Sequence, residues 1–164
     1  MYAQDAIVPQ PVAGFGAGLP ASARPMRERV EMLQARMLAL PELYYEPVTT
    51  HAFHAGMYCR QVWRAADVTI VGKVHKQEHF YYIVHGTVIV TTDDGVERIT
   101  GPRLLCSKPG TKRAVYAETD ALCMTFHRTD ALTVEEAEAE LVEPDESSPF
   151  LVGNKLDTKE KALT

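Results

Sequence analysis

Short apolar segments alternate with turn signals through the middle of the chain. Between Val48 and His127 these segments are rich in β-branched and aromatic residues, and Gly, Pro or Asp separates them at intervals of roughly 8–12 residues. In chain order they read VTTHAF, MYCRQVWR, DVTIVGKV, FYYIV, TVIVTT, VERIT, RLLCS, RAVYA and ALCMTFH. No helical pattern lies between them, so the sequence predicts an all-β barrel over residues 48–130 rather than a parallel α/β sheet. The clearest hairpin is TVIVTTDDGVERIT, with a tight turn predicted at Asp94-Gly95.

Helical periodicity appears on both sides of this region. The run PMRERVEMLQARMLAL predicts one amphipathic helix over residues 25–40, whose apolar face packs on the barrel or on a partner. The run TVEEAEAELV has Thr133 and Glu136 at the spacing of a capping box and predicts a short helix with its glutamates in solvent. The predicted apolar stripes are Met26, Val30, Leu33, Met37 and Leu40 in the first helix, and Val134, Ala137 and Leu141 in the second.

The two ends of the chain lack such a pattern. Residues 1–24 contain Pro9, Pro11 and Pro20 with glycines between them, which predicts an extended N-terminal arm. Residues 131–164 combine the short helix with a polar C-terminal tail. The sequence therefore divides into an arm, a helix, a barrel and a C-terminal helix with its tail.

Composition and charge exclude several classes of function. The chain has 164 residues and a net charge of -5, which argues against a nucleic-acid partner because phosphate contacts require a basic face. No apolar run approaches the roughly 20 residues of a membrane helix, and no signal peptide is recognisable, so neither membrane association nor secretion is expected. Cys59, Cys106 and Cys123 are expected to be reduced and mostly buried.

Two stretches resemble the paired motifs of cupins, which are small jelly-roll barrels. The stretches are GKVHKQEHFYYIVHG and GPRLLCSKPGTKR. When the first is aligned on Gly86, His75 falls at the second histidine position of the cupin motif and His79 at its glutamate position, while Lys73 replaces the first histidine. In the second stretch, Arg113 replaces the remaining histidine. The resemblance implies a cupin-type jelly roll that retains two of the four usual ligand positions.

Lys73 and Arg113, at the two replaced ligand positions, decide whether the site can bind a metal or an anion. A catalytic metal usually needs three protein ligands, and a lysine and an arginine at ligand distance would repel a cation by several kcal/mol. A divalent metal therefore requires that Lys73 and Arg113 point away and that His127 joins His75 and His79. Without a metal, Lys73 and Arg113 could form, with the histidines, a cationic pocket for a carboxylate or phosphate. The histidines could equally pair with Glu78 or Glu97 as a polar patch. The sequence favours a barrel without a cofactor.

A narrower resemblance concerns cupin-like proteins encoded by tailed bacteriophages. The PGTKR turn and the exit HRTD from the last predicted strand carry it. It implies a non-enzymatic structural or adaptor protein, with no catalytic residues, located in the virion or in the host cytoplasm before assembly. The expected partners are further copies of the chain in a homo-oligomer and other virion proteins, contacted through the N-terminal arm and C-terminal tail. The alternative is a metal-dependent cupin enzyme or a small-anion-binding cupin.

Overall fold

Two antiparallel sheets packed face to face form the body of the protein in this computed structural model, which describes residues 24–157. The strands are β1 Val48–His54, β2 Met57–Arg64, β3 Thr69–Val71, β4 His79–His85, β5 Thr87–Thr92, β6 Gly95–Thr100, β7 Arg103–Ser107, β8 Ala114–Ala117 and β9 Ala121–Arg128. The helices are α1 Met26–Leu38 and α2 Val134–Leu141, with single 3-10 turns at Pro41–Leu43 and Val152–Asn154. Each strand overlaps one of the predicted segments, so the all-β prediction is confirmed. The predicted arm, except Arg24, lies outside the described residues.

The strand order is that of a jelly roll. One sheet has the order β1-β2-β9-β4-β7 and the other β3-β8-β5-β6. The antiparallel pairs β5–β6, β4–β7, β3–β8 and β2–β9 are nested, as if one long hairpin were folded over to make both sheets. Pairs β4–β9 and β5–β8 then complete the sheets. Four nested pairs divided between two packed sheets define a double-sheet jelly roll.

The hairpin between β5 and β6 turns one residue earlier than the sequence predicted. Thr92 pairs with Gly95, so Asp93 and Asp94 form the two-residue loop. Gly95 has φ 141 and opens β6 rather than completing the turn. Gly95 has the predicted positive φ, but it is the first residue of β6 rather than part of the turn.

The interior of the barrel is apolar at one end and polar at the other. Ile83, Val88 and Val90 have no exposed surface, and each contributes about 1.5–3 kcal/mol by its burial. The rest of this apolar cluster comprises Tyr81, Ile99, Val115, Ala117, Ala121 and Cys123. Beyond Tyr81 and Cys123 the inward positions of β4 and β9 become polar, and the functional groups lie at that end.

Helix α1 buries less of its predicted apolar stripe than expected. It begins and ends within two residues of the predicted bounds, but only Val30 and Gln34 are buried along it. Leu33 and Leu40 of the stripe are 37% and 45% exposed. Gln34 instead donates hydrogen bonds to Asp145 and Ser147 in the segment after α2, so a polar contact fixes this helix.

The segment after α2 packs on its own barrel as far as it is described. Asp145 accepts a 3.0 Å hydrogen bond from the buried Lys112, and Glu46 accepts one of 2.8 Å from the amide of Leu156. Burial alone would raise the pKa of Asp145, but hydrogen bonds from Ser147, Gln34 and Lys112 lower it to about 2. Residues 143–157, predicted as a polar tail, therefore form part of the domain surface.

Helix α2 confirms its predicted cap but not its predicted solvent face. The Thr133 hydroxyl accepts a hydrogen bond from the amide of Glu136, as a capping residue does. Of the four glutamates expected in solvent, Glu138 is buried. The cysteine prediction also needs correction, because Cys123 is buried while Cys106 is exposed. Neither α1 nor α2 is long and apolar enough to cross a membrane.

Candidate functional site: a histidine triad beside a cationic cavity

Three histidines converge at the polar end of the barrel. The ring centroids of His75 and His79 are 4.2 Å apart, those of His79 and His127 4.5 Å, and those of His75 and His127 5.0 Å. A ring nitrogen from each lies within 4.8 Å of a nitrogen from the others. The structure thus brings together the three residues that the sequence predicted as metal ligands. His75, His79 and His127 form the triad.

The fold positions each member of the triad by backbone pairing. In the β4–β9 ladder Phe80 pairs with Phe126, which places His79 and His127 side by side on the inner face. His75 lies before β4, where its carbonyl accepts a hydrogen bond from the Gly110 amide and its backbone bridges to Val142. The adjacent strands β4 and β9 and the hydrogen-bonded loop before β4 therefore fix the positions of the three histidines.

The triad is buried and electrically neutral at pH 7. His75 and His79 are each 8% exposed and His127 is 3% exposed. Burial lowers the pKa of His79 to about 4 and that of His127 to about 3, and it holds the pKa of His75 well below its usual value. The nearby positive charge of Arg60 lowers all three pKa values further. Neutral imidazole is the form that binds metals.

The hydrogen-bond partners of the triad leave ring nitrogens available. His79 Nδ1 lies 3.2 Å from the Gln77 carbonyl oxygen, to which it donates, so its Nε2 carries a lone pair. Backbone carbonyls commonly hold metal-binding histidines in this way. The Nδ1 atoms of His75 and His127 are buried and have no hydrogen-bond partner within residues 24–157. These donor atoms suit a metal ion such as zinc, nickel, copper or iron, which imidazole nitrogen binds well.

Lys73 and Arg113 contact polar groups other than the triad in the structure. Lys73 Nζ lies 3.2 Å from a carboxylate oxygen of Glu138 on α2, so its charge is paired. Arg113 donates to the hydroxyl of Ser107, at 3.0 Å from Nη2, and to the carbonyl of Thr91, at 2.8 Å from Nη1. His127 joins His75 and His79 as the metal alternative requires, and both cations have polar partners of their own. The charge of Arg113 nevertheless lowers the pKa of His75 and His79.

A cavity of about 70 Å³ opens beside the triad. Both His75 and His79 line it, together with Lys73 and Arg113, which sequence analysis had placed in a possible anion pocket. The apolar part of its wall consists of Pro47, Val62, Ile70, Val71, Val115 and Phe150. The polar part also includes Arg60, Arg64, Tyr81, Thr111, Thr125 and Asn154.

Sequence analysis missed the two arginines of β2 in this cavity. Arg60 and Arg64 alternate with Val62 and share its inward face. Arg60 pairs with Thr125 across the β2–β9 ladder, and Thr125 pairs with Tyr81 across the β9–β4 ladder. The sequence does show Arg60, Val62 and Arg64 at alternate positions of one strand. Arginines on a half-buried strand ordinarily face solvent, so this alternation alone does not predict that they line a cavity.

The remaining histidines have other surroundings. His51 Nδ1 lies 2.8 Å from the Tyr58 hydroxyl, and the Tyr58 ring stacks on His127, so both support the triad from the side. His54 and His85 are exposed. Within residues 24–157 no ion pair joins the triad to Glu78 or Glu97, so the polar-patch alternative finds no support.

Comparisons with known proteins give structural similarity without sequence similarity. No protein-family model and no curated protein matches this chain. A cupin superfamily protein from Desulfitobacterium hafniense matches with a TM-score of 0.45 and 13% identity, covering 57% of this chain and 88% of that one. An RmlC-like cupin from Shewanella frigidimarina matches with a TM-score of 0.47 and 13% identity, covering 55% and 82%.

A cupin domain of a transcriptional regulator from Enterobacter cloacae also matches, with a TM-score of 0.45 and 7% identity over 53% of this chain and all of that one. All three of these similar structures are cupins, at 7–13% identity to this chain. The narrower resemblance to phage-encoded proteins gains no support from these comparisons. The virion location, the structural role and the contacts of the arm and tail stay predictions.

Proposed function

We propose that this protein is a jelly-roll metal-binding protein in which His75, His79 and His127 hold one divalent transition-metal ion. The observation that carries the proposal is the convergence of three buried, neutral imidazoles with nitrogens inside 4.8 Å. Three nitrogens bound to one ion at about 2.1 Å lie roughly 3.0–3.5 Å apart, so small side-chain rotations suffice.

The unpartnered nitrogens support this function over a purely structural histidine cluster. Buried polar atoms without a hydrogen bond cost about 1–3 kcal/mol each, and such atoms are rare in folded proteins. The Nδ1 atoms of His75 and His127 are two of them. A coordinated ion would offset part of this cost, and three protein ligands would leave a position for water or a small ligand.

The metal would supply Lewis-acid character at the wall of the cavity. The protein's own residues would do the rest. The Gln77 carbonyl fixes the tautomer of His79, Tyr58 packs against His127, and Glu138 pairs with the Lys73 ammonium. These contacts hold the triad in place before any ion arrives.

Metal content measured on protein purified without a tag and then dialysed against zinc tests the proposal. About one tightly bound ion per chain is expected, and His79→Gln or His127→Gln should lower occupancy at least tenfold. His54→Ala, which changes an exposed histidine, serves as the control and should leave occupancy unchanged. Thermal melting of each variant checks that it folds. Zinc binding that survives loss of either triad histidine would refute the proposal.

A further inference from the structure

The cavity beside the triad carries several positive charges and no negative charge in its described lining. Arg60, Arg64 and Arg113 all line it, and its described lining contains no aspartate or glutamate. Within residues 24–157, no carboxylate oxygen lies within 4.0 Å of these three guanidinium groups. Arg64 is buried and Arg60 and Arg113 are half-buried. Asp93 and Glu97 act on Arg113 only from beyond ion-pair distance. Charges removed from water are ordinarily paired, so three guanidinium groups without an ion pair around one cavity require an explanation.

The N–H groups of these arginines donate to neutral groups, and some of them have no hydrogen-bond partner. Arg64 is 5% exposed and donates to the Tyr81 hydroxyl, at 3.0 Å from Nη1, with the Cys123 side chain as its other hydrogen-bond partner. The Nε atoms of Arg60 and Arg64 are buried and have no partner within the described chain. Arg113 lies with its guanidinium carbon 5.9 Å from the centre of the Tyr81 ring and donates only to a hydroxyl and a carbonyl.

Unsatisfied buried polar atoms are concentrated in this one region. Within residues 24–157, six buried side-chain atoms lack a hydrogen bond, and only Gln34 Oε1 lies away from the triad and cavity. Besides the two histidine and two arginine nitrogens there is Thr125 Oγ1, which lies between Arg60 and Tyr81 in the sheet. A donor-rich, acceptor-poor lining of this kind suits an acceptor-rich ligand.

We infer that the cavity binds a short-chain carboxylate, with Arg60, Arg64 and Arg113 as the residues that recognise its carboxylate group. Guanidinium groups bind carboxylates through paired, charge-assisted hydrogen bonds, and the Thr125 hydroxyl adds a further donor. The inference deepens the proposed function, because His75 and His79 line the same cavity. A bound carboxylate would also offset the positive charge that disfavours a metal cation beside these arginines.

The size and wall of the cavity limit the ligand. A volume of about 70 Å³ exceeds the roughly 10–15 Å³ that one water needs, so the cavity admits a small molecule rather than a single water. Val62, Ile70 and Val115 provide an apolar wall against which a short carbon chain can pack. This wall favours a carboxylate of a few carbons over inorganic phosphate.

Titration calorimetry on metal-free protein with malonate, inorganic phosphate and neutral malonamide tests the inference. Malonate should bind, malonamide should not, and phosphate should bind more weakly than malonate. Arg60→Gln and Arg113→Gln should each weaken malonate binding at least tenfold, since each removes a charge-assisted hydrogen bond. Arg98→Gln is the matched control, because Arg98 is exposed and paired with Glu118 outside the cavity.

The outcomes separate this inference from the metal centre. Malonate binding to metal-free protein that Arg60→Gln abolishes supports the anion site even if zinc is never bound. Malonate binding that requires zinc and ignores Arg60→Gln would overturn the role of the arginines while leaving the metal centre intact. Stronger binding of phosphate would overturn the carboxylate assignment, and absence of binding to either anion would overturn the site. Melting curves with and without malonate identify any variant that fails to fold.

Discussion

At the scale of single residues, the direction of each side chain along β2 decides the chemistry of the cavity. Tyr58, Arg60, Val62 and Arg64 face inward, and the intervening residues face outward. The hydrophobicity of the residues does not predict which side of β2 faces inward, because the outward-facing residues include the apolar Met57, Cys59 and Trp63. The triad could be predicted because histidines at the positions of a ligand motif indicate metal binding. The place of the two arginines in the cavity follows only from the pairing of β2 with β9, which the sequence does not show.

The titration of the triad gives a prediction for metal-free protein. The pKa of His79 is about 4 and that of His127 about 3 in the folded state, against about 6.5 in an unfolded chain. Below pH 6.5 the unfolded chain therefore binds more protons, and the free energy of unfolding falls as the pH decreases until the folded-state pKa values are reached. At pH 5 each of these two histidines should cost about 2 kcal/mol of stability relative to pH 7.

Urea unfolding at pH 7 and pH 5 measures this effect. The variant His79→Gln should lose less stability between the two pH values than the unchanged protein, by up to about 2 kcal/mol. His54→Ala should lose as much as the unchanged protein, since His54 is exposed. An identical pH dependence in His79→Gln and the unchanged protein would show that burial does not suppress protonation of His79.

At the scale of secondary-structure elements, the strands were predictable and the helix contacts were not. Short β-branched runs between turn residues define nine strands because each crosses the barrel once before Gly, Pro or Asp turns the chain. Helix faces depend on what packs against them. Gln34 and Glu138 are buried because Asp145 and Lys73 meet them from distant parts of the chain, which no local pattern encodes.

Helix α2 contacts the lining of the cavity through one carboxylate. Glu138 accepts hydrogen bonds from Lys73 Nζ, at 3.2 Å, and from the amide of Gly153, at 2.8 Å. Glu138→Gln would keep the size of the side chain but leave the Lys73 ammonium without its counter-charge near the imidazoles. We expect zinc affinity to fall about tenfold, as for other changes to groups around metal ligands.

Competition of the protein with a chromophoric chelator measures this affinity. Glu135→Gln, on the exposed side of the same helix, removes one negative charge without touching Lys73 and should leave the affinity unchanged. Equal zinc affinity in the two variants would mean that Lys73 does not influence the triad. A melting temperature measured for each variant separates loss of affinity from loss of the fold.

At the scale of the whole molecule, the outer face of the five-stranded sheet is rich in exposed apolar side chains. Phe80 is 49% exposed, Leu104 51% and Trp63 39%, and all three lie on this face. Phe80 pairs across the sheet with Phe126 and Cys106, so the exposed groups lie on neighbouring strands. Extended apolar faces of this kind commonly mark contacts between subunits.

The predicted homo-oligomer would use this sheet face, because a second copy presents the same apolar surface and a two-fold axis can pair the two. Native mass spectrometry or light scattering should show a dimer or larger assembly, and Phe80→Lys should shift it towards monomer. Val96→Lys, at an exposed apolar residue on β6 of the other sheet, is the control and should not change the mass. A monomeric unchanged protein would refute the prediction.

The nesting of the strand pairs also sets the order in which the molecule can be built. The β5–β6 hairpin closes within a few residues, whereas β2–β9 joins segments separated by most of the barrel. Closing long loops costs more chain entropy and slows folding, so the outermost pair is expected to form late. His127 belongs to β9, the last strand to leave the ribosome. A growing chain that ends before β9 thus has no complete triad, and a three-histidine site can form only once β9 has been made.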